Sequence, residues 1–108
     1  MDLVCNLVAV GGRPVLHVQG EIDLATLPGF RDQLIHAIGE SVGNTLSVDL
    51  DGVTALDDTG LGMLLGAAGR ARELGGDLVV VCSSARLLQR FDLTGFARAV
   101  TIVANLHD

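Results

Sequence analysis

The chain has no tryptophan and no tyrosine, and its only aromatic residues are Phe30, Phe91 and Phe96. A core must therefore be built from valine, leucine, isoleucine and alanine. Hydrophobic residues make up 49% of the 108, which excludes a disordered chain. Lysine is also absent: all seven basic residues are arginine, so every basic contact must come from a guanidinium. The two cysteines, Cys5 and Cys82, indicate neither a disulfide framework nor a zinc site. Both lie in apolar runs, "LVCNLVAV" and "LVVVCS", where burial is expected. No apolar run approaches the ~20 residues of a membrane span. The opening "MDLVCNLVAV" has no basic region before its apolar residues and carries Asp2 early. These absences point to a soluble cytoplasmic protein without direct membrane insertion.

Positive charge is scarce as well. The formal net charge is −6, which argues against nucleic acid as a partner. Residues 1–60 hold nine acids and two arginines, and residues 61–108 hold four acids and five arginines, so the halves carry −7 and +1. One end of the fold is expected to be acidic. The length fits a single domain over 1–108, burying roughly 65% of the surface of its unfolded chain.

The patterning that is present reads as strands alternating with helices. "LVCNLVAV" (3–10) and "PVLHVQG" (14–20) flank "GGR", which signals a hairpin. "TLSVDLDG" (45–52), "DLVVVCS" (77–83) and "AVTIVA" (99–104) read as further strands. The continuous apolar run at 78–81 is expected of a strand covered on both faces. A first helix is capped by Thr26, with Pro28 in its first turn and Leu27, Phe30, Leu34 and Ile38 at helical spacing. It should end between Gly39 and Gly43. A second runs from about Gly60 to Leu74, with Leu61, Leu64, Leu65 and Ala68 on one face and Gly75–Gly76 as its stop. A third is capped by Ser83 or Ser84, carries Leu87, Leu88 and Phe91, and stops by Gly95. The order ββαβαβαβ implies an α/β fold: one small mixed sheet with helices packed on it.

In such a sheet, function concentrates where strand C-terminal ends meet helix starts. Two acidic segments leave strands there, "GEID" with Glu21 and Asp23, and "DLDGVTALDDTG". Their carboxylates are expected to converge, though aspartate at a helix start also satisfies free N–H groups and suits the helix dipole. Asp23, Asp49, Asp51, Asp57 and Asp58 form no calcium-loop pattern, so no metal is expected. His17, His36 and His107 are scattered, and none stands beside the Asp57–Asp58 pair as a catalytic partner would. "GLGMLLG" is not followed by the Lys-Ser/Thr of a phosphate loop. Its glycines, Gly62 and Gly66, are expected to allow close packing against the sheet or against a partner. No enzymatic activity and no cofactor are indicated.

"VDLDGVTALDDTGLGMLLGAAGRARELGGDLVVV" resembles the central signature of STAS domains, bacterial anti-sigma factor antagonists in particular. "VLHVQGEIDLATLPGFRDQL" and "SARLLQRFDLTGF" resemble their second strand with first helix, and their third helix. The family motif reads Asp-Ser-Ser/Thr-Gly at the start of the second helix. The resemblance implies an anti-anti-sigma factor, a non-enzymatic partner-switching regulator of transcription. Its partner would be an anti-sigma factor with a GHKL-type ATP-binding kinase fold, which phosphorylates the motif serine and thereby breaks the complex. By position, Asp57 matches the motif aspartate, Thr59 the following hydroxyl and Gly60 the glycine. Asp23 matches the acid of the "GE[IL]D" loop near the phosphosite. Asp58 falls where the phosphorylatable serine should stand.

Three readings of Asp58 are open: a fixed partial mimic of phosphate, a residue that lets the protein escape inactivation, or a neighbour that leaves Thr59 as the acceptor. The resemblance implies partner binding through Asp23, Asp57, Asp58, Thr59, Gly60, Gly62 and Met63. Two other family roles compete. One is a STAS subunit of a membrane lipid-transport assembly, which needs no phosphosite. The other is purine nucleotide binding, against which the acidic balance and the missing phosphate loop weigh.

Overall fold

A computed structural model describes residues 2–106. β1 (Val4–Val10) and β2 (Arg13–Ile22) form the expected hairpin. The chain continues through α1 (Leu27–Gly39), β3 (Thr45–Leu56), α2 (Asp58–Glu73), β4 (Asp77–Val81), α3 (Ala85–Thr94), α4 (Phe96–Ala99) and β5 (Thr101–Val103). The strands lie side by side in chain order. β1 is antiparallel to β2, and each later neighbour is parallel. The sheet is thus mixed, and the hairpin supplies its antiparallel pair.

The hairpin closes through Gly11 and Gly12 at φ 58° and 80°. Positive φ at both central residues gives the two-residue turn whose twist matches antiparallel strands. Helices then bury one face of the sheet. Phe30, Leu34 and Ile38 of α1, Leu61, Leu64 and Ala68 of α2, and Leu87 and Phe91 of α3 share one cluster with Leu16, Val18, Leu46, Val48, Leu78 and Val80. All three phenylalanines are buried, and the Phe91 and Phe96 rings stack at 4.9 Å. Burying side chains of this size is worth about 1.5–3 kcal/mol each, which makes this cluster the main source of stability.

Four expectations need correction. β4, expected to be covered on both faces, is covered on the second only in part. Val79 and Val81 point to the side away from the helices, where Val79 is half-buried and Val81 buried beside Ser47 and Asp49 of β3. Leu65 is 40% exposed, because the buried stripe of α2 runs through Leu61, Leu64, Ala67, Ala68 and Ala71 instead. The four-residue α4 is an added element; Phe96 within it packs on Phe91. Finally, β3 does not stop at Gly52 but runs to Leu56. It pairs with β4 only over Thr45–Asp49, whereas its later residues pair with Gln19–Ile22 of β2. These two long strands project past the rest of the sheet and carry the acidic segments to a common end.

Candidate functional site

At that end Ile22 pairs with Leu56, and the Asp57 amide donates to the Ile22 carbonyl at 3.2 Å. The backbones of the two acidic segments therefore meet, although the expected convergence was of their carboxylates. Asp57 then caps α2. Its backbone is extended, and its Oδ1 accepts from the Gly60 amide at 3.0 Å and from the Thr59 hydroxyl at 2.5 Å. A capping carboxylate satisfies an amide the helix leaves free and complements the dipole. The Thr59 hydroxyl bond, then the Gly60 amide, hold the Asp57 carboxyl below its ordinary value, with a smaller contribution from Arg90. Gly60 is buried, and a Cβ there would lie 2.7 Å from both Ile22 Cγ2 and Leu56 Cδ1. The glycine lets the first turn of α2 sit directly on the strand ends.

Asp23 organises its own loop. Its Oδ1 accepts from the amides of Ala25 at 3.0 Å and Thr26 at 3.1 Å. The Thr26 hydroxyl accepts from the Asp23 amide at 3.0 Å and donates to the Glu21 carbonyl at 2.7 Å. Thr26 thus precedes α1 without making the side-chain cap expected of it; its hydroxyl is used by the loop behind. No hydrogen bond links the Asp23 carboxylate to Asp57 or Asp58 among the described residues.

Asp58 occupies the first helical position with its side chain 87% exposed, and its Oδ1 lies 2.6 Å from Arg90 Nη2 on α3. Arg86, one turn earlier on α3, donates to the Thr54 carbonyl. The basic second half of the chain thus folds over the acidic end and offsets part of its charge. Sequence reasoning missed Arg90. The only signal was that an exposed acid can find no cation here except arginine, and nothing local singled out Arg90 at a distance of 32 residues.

The remaining expected contacts divide between two faces of α2. Gly62 is exposed and borders a shallow depression with Asp58, Leu61, Leu65, Thr94 and Phe96. Met63 is half-buried and turns the other way, into an apolar groove between α2 and α1 with Leu34, Ile35 and Ile38. Gly62 and Gly66 do not pack against the sheet: a Cβ at either would meet nothing within 4 Å. A 100° turn per residue separates positions 62 and 63, so adjacency in sequence puts them on different sides.

The acids weighed as a metal set are dispersed. Asp49 Oδ2 contacts His17 Nδ1 at 2.8 Å on the sheet face away from the helices. Asp51 Oδ1 accepts from the Ser83 amide at 2.7 Å and from its hydroxyl at 3.0 Å. No group of three or more His, Cys, Asp or Glu among the described residues is placed to hold a metal. His36 is exposed on α1, and His107 lies outside the described residues. Cys82 is buried, as expected, but Cys5 only half-buried; burial raises both thiols above their ordinary value, which suppresses reactive thiolate. No helix among the described residues is long and apolar enough to cross a membrane.

The STAS domain family model matches residues 5–108. The anti-sigma-B factor antagonist of Bacillus subtilis is 33% identical over 89 residues, covering 82% of this chain and 80% of that one. The anti-sigma-B factor antagonist of Listeria monocytogenes is 34% identical over 88 residues, covering 81% and 75%. Among solved structures, an anti-sigma factor antagonist from Mycobacterium paratuberculosis superposes with a TM-score of 0.88 at 24% identity, covering 99% of this chain and 90% of that one. The unphosphorylated form of the antagonist SpoIIAA superposes at 0.75 and 18% identity, covering 96% and 91%. At these identities the structural likenesses bear on the fold.

Proposed function

The chain belongs to the STAS domain family, with anti-sigma factor antagonists as its relatives, and from that premise we propose that it is itself a non-enzymatic antagonist that binds an anti-sigma factor. Docking uses the loop held by Asp23 and the start of α2, from Asp57 through Thr59 and Gly60 to Gly62, with Met63 at the margin. The partner is a GHKL-type kinase, and transcription is the process regulated.

One observation carries the reading of the switch: Asp58 is exposed at the helix start and is tied to Arg90. An aspartate carries one charge where phosphate brings about −1.5 to −2. Here that charge is shared with a guanidinium of the same chain, so the partner meets little net repulsion. This favours a protein that escapes inactivation over one that mimics the inactivated state. Thr59 is a poor alternative acceptor. Its hydroxyl is engaged by Asp57, and a phosphate there would stand among two carboxylates.

The test is binding and phosphate transfer with a cognate anti-sigma kinase, with and without ATP. The native protein is expected to bind equally in both conditions and to take up no phosphate at positions 58 or 59. Asp58→Ser is expected to acquire phosphate and to lose binding when ATP is present. Phosphate on Thr59 of the native protein would overturn the reading of the switch. Failure of both proteins to bind would overturn the proposed partner.

A further inference from the structure

The two edges of the sheet are treated differently. β5 is three residues long, too short to template another strand, but β1 runs for seven residues as "VCNLVAV". Edge strands are ordinarily protected by charge, proline or a bulge. β1 has none: it pairs without interruption from Val4 to Val10, and no charged residue lies between Asp2 and Arg13 in a chain of net charge −6. No strand among the described residues lies beyond it.

The hairpin turn determines which backbone groups face that edge. Val10 and Arg13 close a two-residue turn, and the closing pair of such a turn is hydrogen-bonded. By alternation Val8, Asn6 and Val4 also bond to β2. Leu3, Cys5, Leu7 and Ala9 therefore turn their N–H and C=O groups outward.

We propose that β1 pairs antiparallel with β1 of a second copy of this chain about a two-fold axis at Leu7, joining the two sheets into one. In this register Leu7 faces Leu7, and Cys5 faces Ala9 of the other copy, so the outward groups of Cys5, Leu7 and Ala9 match donor to acceptor. The flanking residues also match. Leu3 meets the small Gly11 of the other copy, where no neighbouring atom lies within 4 Å of a Cβ position. Asp2 of one copy comes beside the turn that carries Arg13 of the other, and symmetry makes this opposite-charge approach occur at both ends. The uncharged strand is also where two acidic molecules approach with least repulsion. None of the residues paired here belongs to the proposed docking set, so this pairing does not rest on the proposed function.

Sedimentation equilibrium of the native protein across a dilution series tests the pairing. The mass is expected to rise from 11.2 kDa toward twice that value. Ala9→Pro removes an outward N–H without touching the ladder to β2, and it is expected to stay at the lower mass with an unchanged circular dichroism spectrum. The register has its own readout. Asn6 would lie opposite Val8 of the other copy in a non-hydrogen-bonded pair about 4.5 Å apart at Cα, within disulfide reach. Mixed Asn6→Cys and Val8→Cys chains are expected to form a disulfide-linked heterodimer on mild oxidation, well above the yield of either alone. Native protein that remains a single chain throughout would overturn the proposal. So would a dimer whose mixed cysteine chains do not cross-link, whether or not Ala9→Pro folds.

Discussion

Gly60 and Gly62 stand two residues apart on α2, yet an added Cβ would meet opposite surroundings. At Gly60 it falls 2.7 Å from Ile22 and Leu56, whereas at Gly62, and again at Gly66, nothing lies within 4 Å. The first turn of α2 is thus built inward, pressed on the strand ends and closed by the bonds of Asp57. The next turns leave their glycines on an exposed surface. Each such glycine costs the helix about 1 kcal/mol relative to alanine, and nothing inside the chain returns it. A smooth outer surface next to the family motif has a use if a partner packs there, which is what the proposed docking requires.

The largest effect expected to break this contrast is at Gly60. Gly60→Val forces two methyls into the strand ends and should cost about 3 kcal/mol of stability in urea unfolding. Asp57→Ala removes the cap and should lower stability by less than Gly60→Val in the same measurement. Gly66→Ala should act in the opposite direction, raising stability by about 0.5–1 kcal/mol because the methyl enters open space. Gly62→Ala should stabilise similarly but weaken binding to an anti-sigma factor, read by calorimetry. Unchanged affinity would separate Gly62 from the docking surface. Arg90→Ala should be the smallest, changing stability by about 0.5 kcal/mol or less, because its pair with Asp58 is exposed.

Acid sharpens the same contrast. The Asp57 carboxyl is held below its ordinary value in the folded protein, so its stabilising effect is present above the unfolded-chain value. It is lost as pH falls through the lower folded value. Amide exchange at Gly60, whose N–H the carboxylate accepts, should lose protection in that acid range before the core strands do.

The hairpin, the three longer helices and the stops at Gly75 and Gly95 were all legible in the sequence. Each rests on a local rule: positive φ at a glycine, apolar residues at helical spacing, a serine before a helix. Ser84 is the cap of α3, through Oγ accepting from the Leu87 amide at 3.5 Å. The continuation of β3 beyond Gly52 was not legible, since glycine reads locally as a break. It is tolerated because the Gln19 side chain of β2 crosses at that point, where a Cβ would lie 2.7 Å from it. The motif residues Asp57, Thr59 and Gly60 were identified together and do meet in space. Asp23 was expected among them, but its carboxylate serves its own loop.

By itself the sequence determined the order of the strands and of the three longer helices, and it placed the two acidic segments at strand ends, because these depend on neighbours a few residues apart. Only the tertiary structure decided that Arg90 meets Asp58, that Met63 faces a groove shared with α1, and that β1 is left as an unguarded edge. Each of those depends on which distant segment the sheet brings alongside, and burial of one apolar cluster selects that arrangement without leaving a local mark.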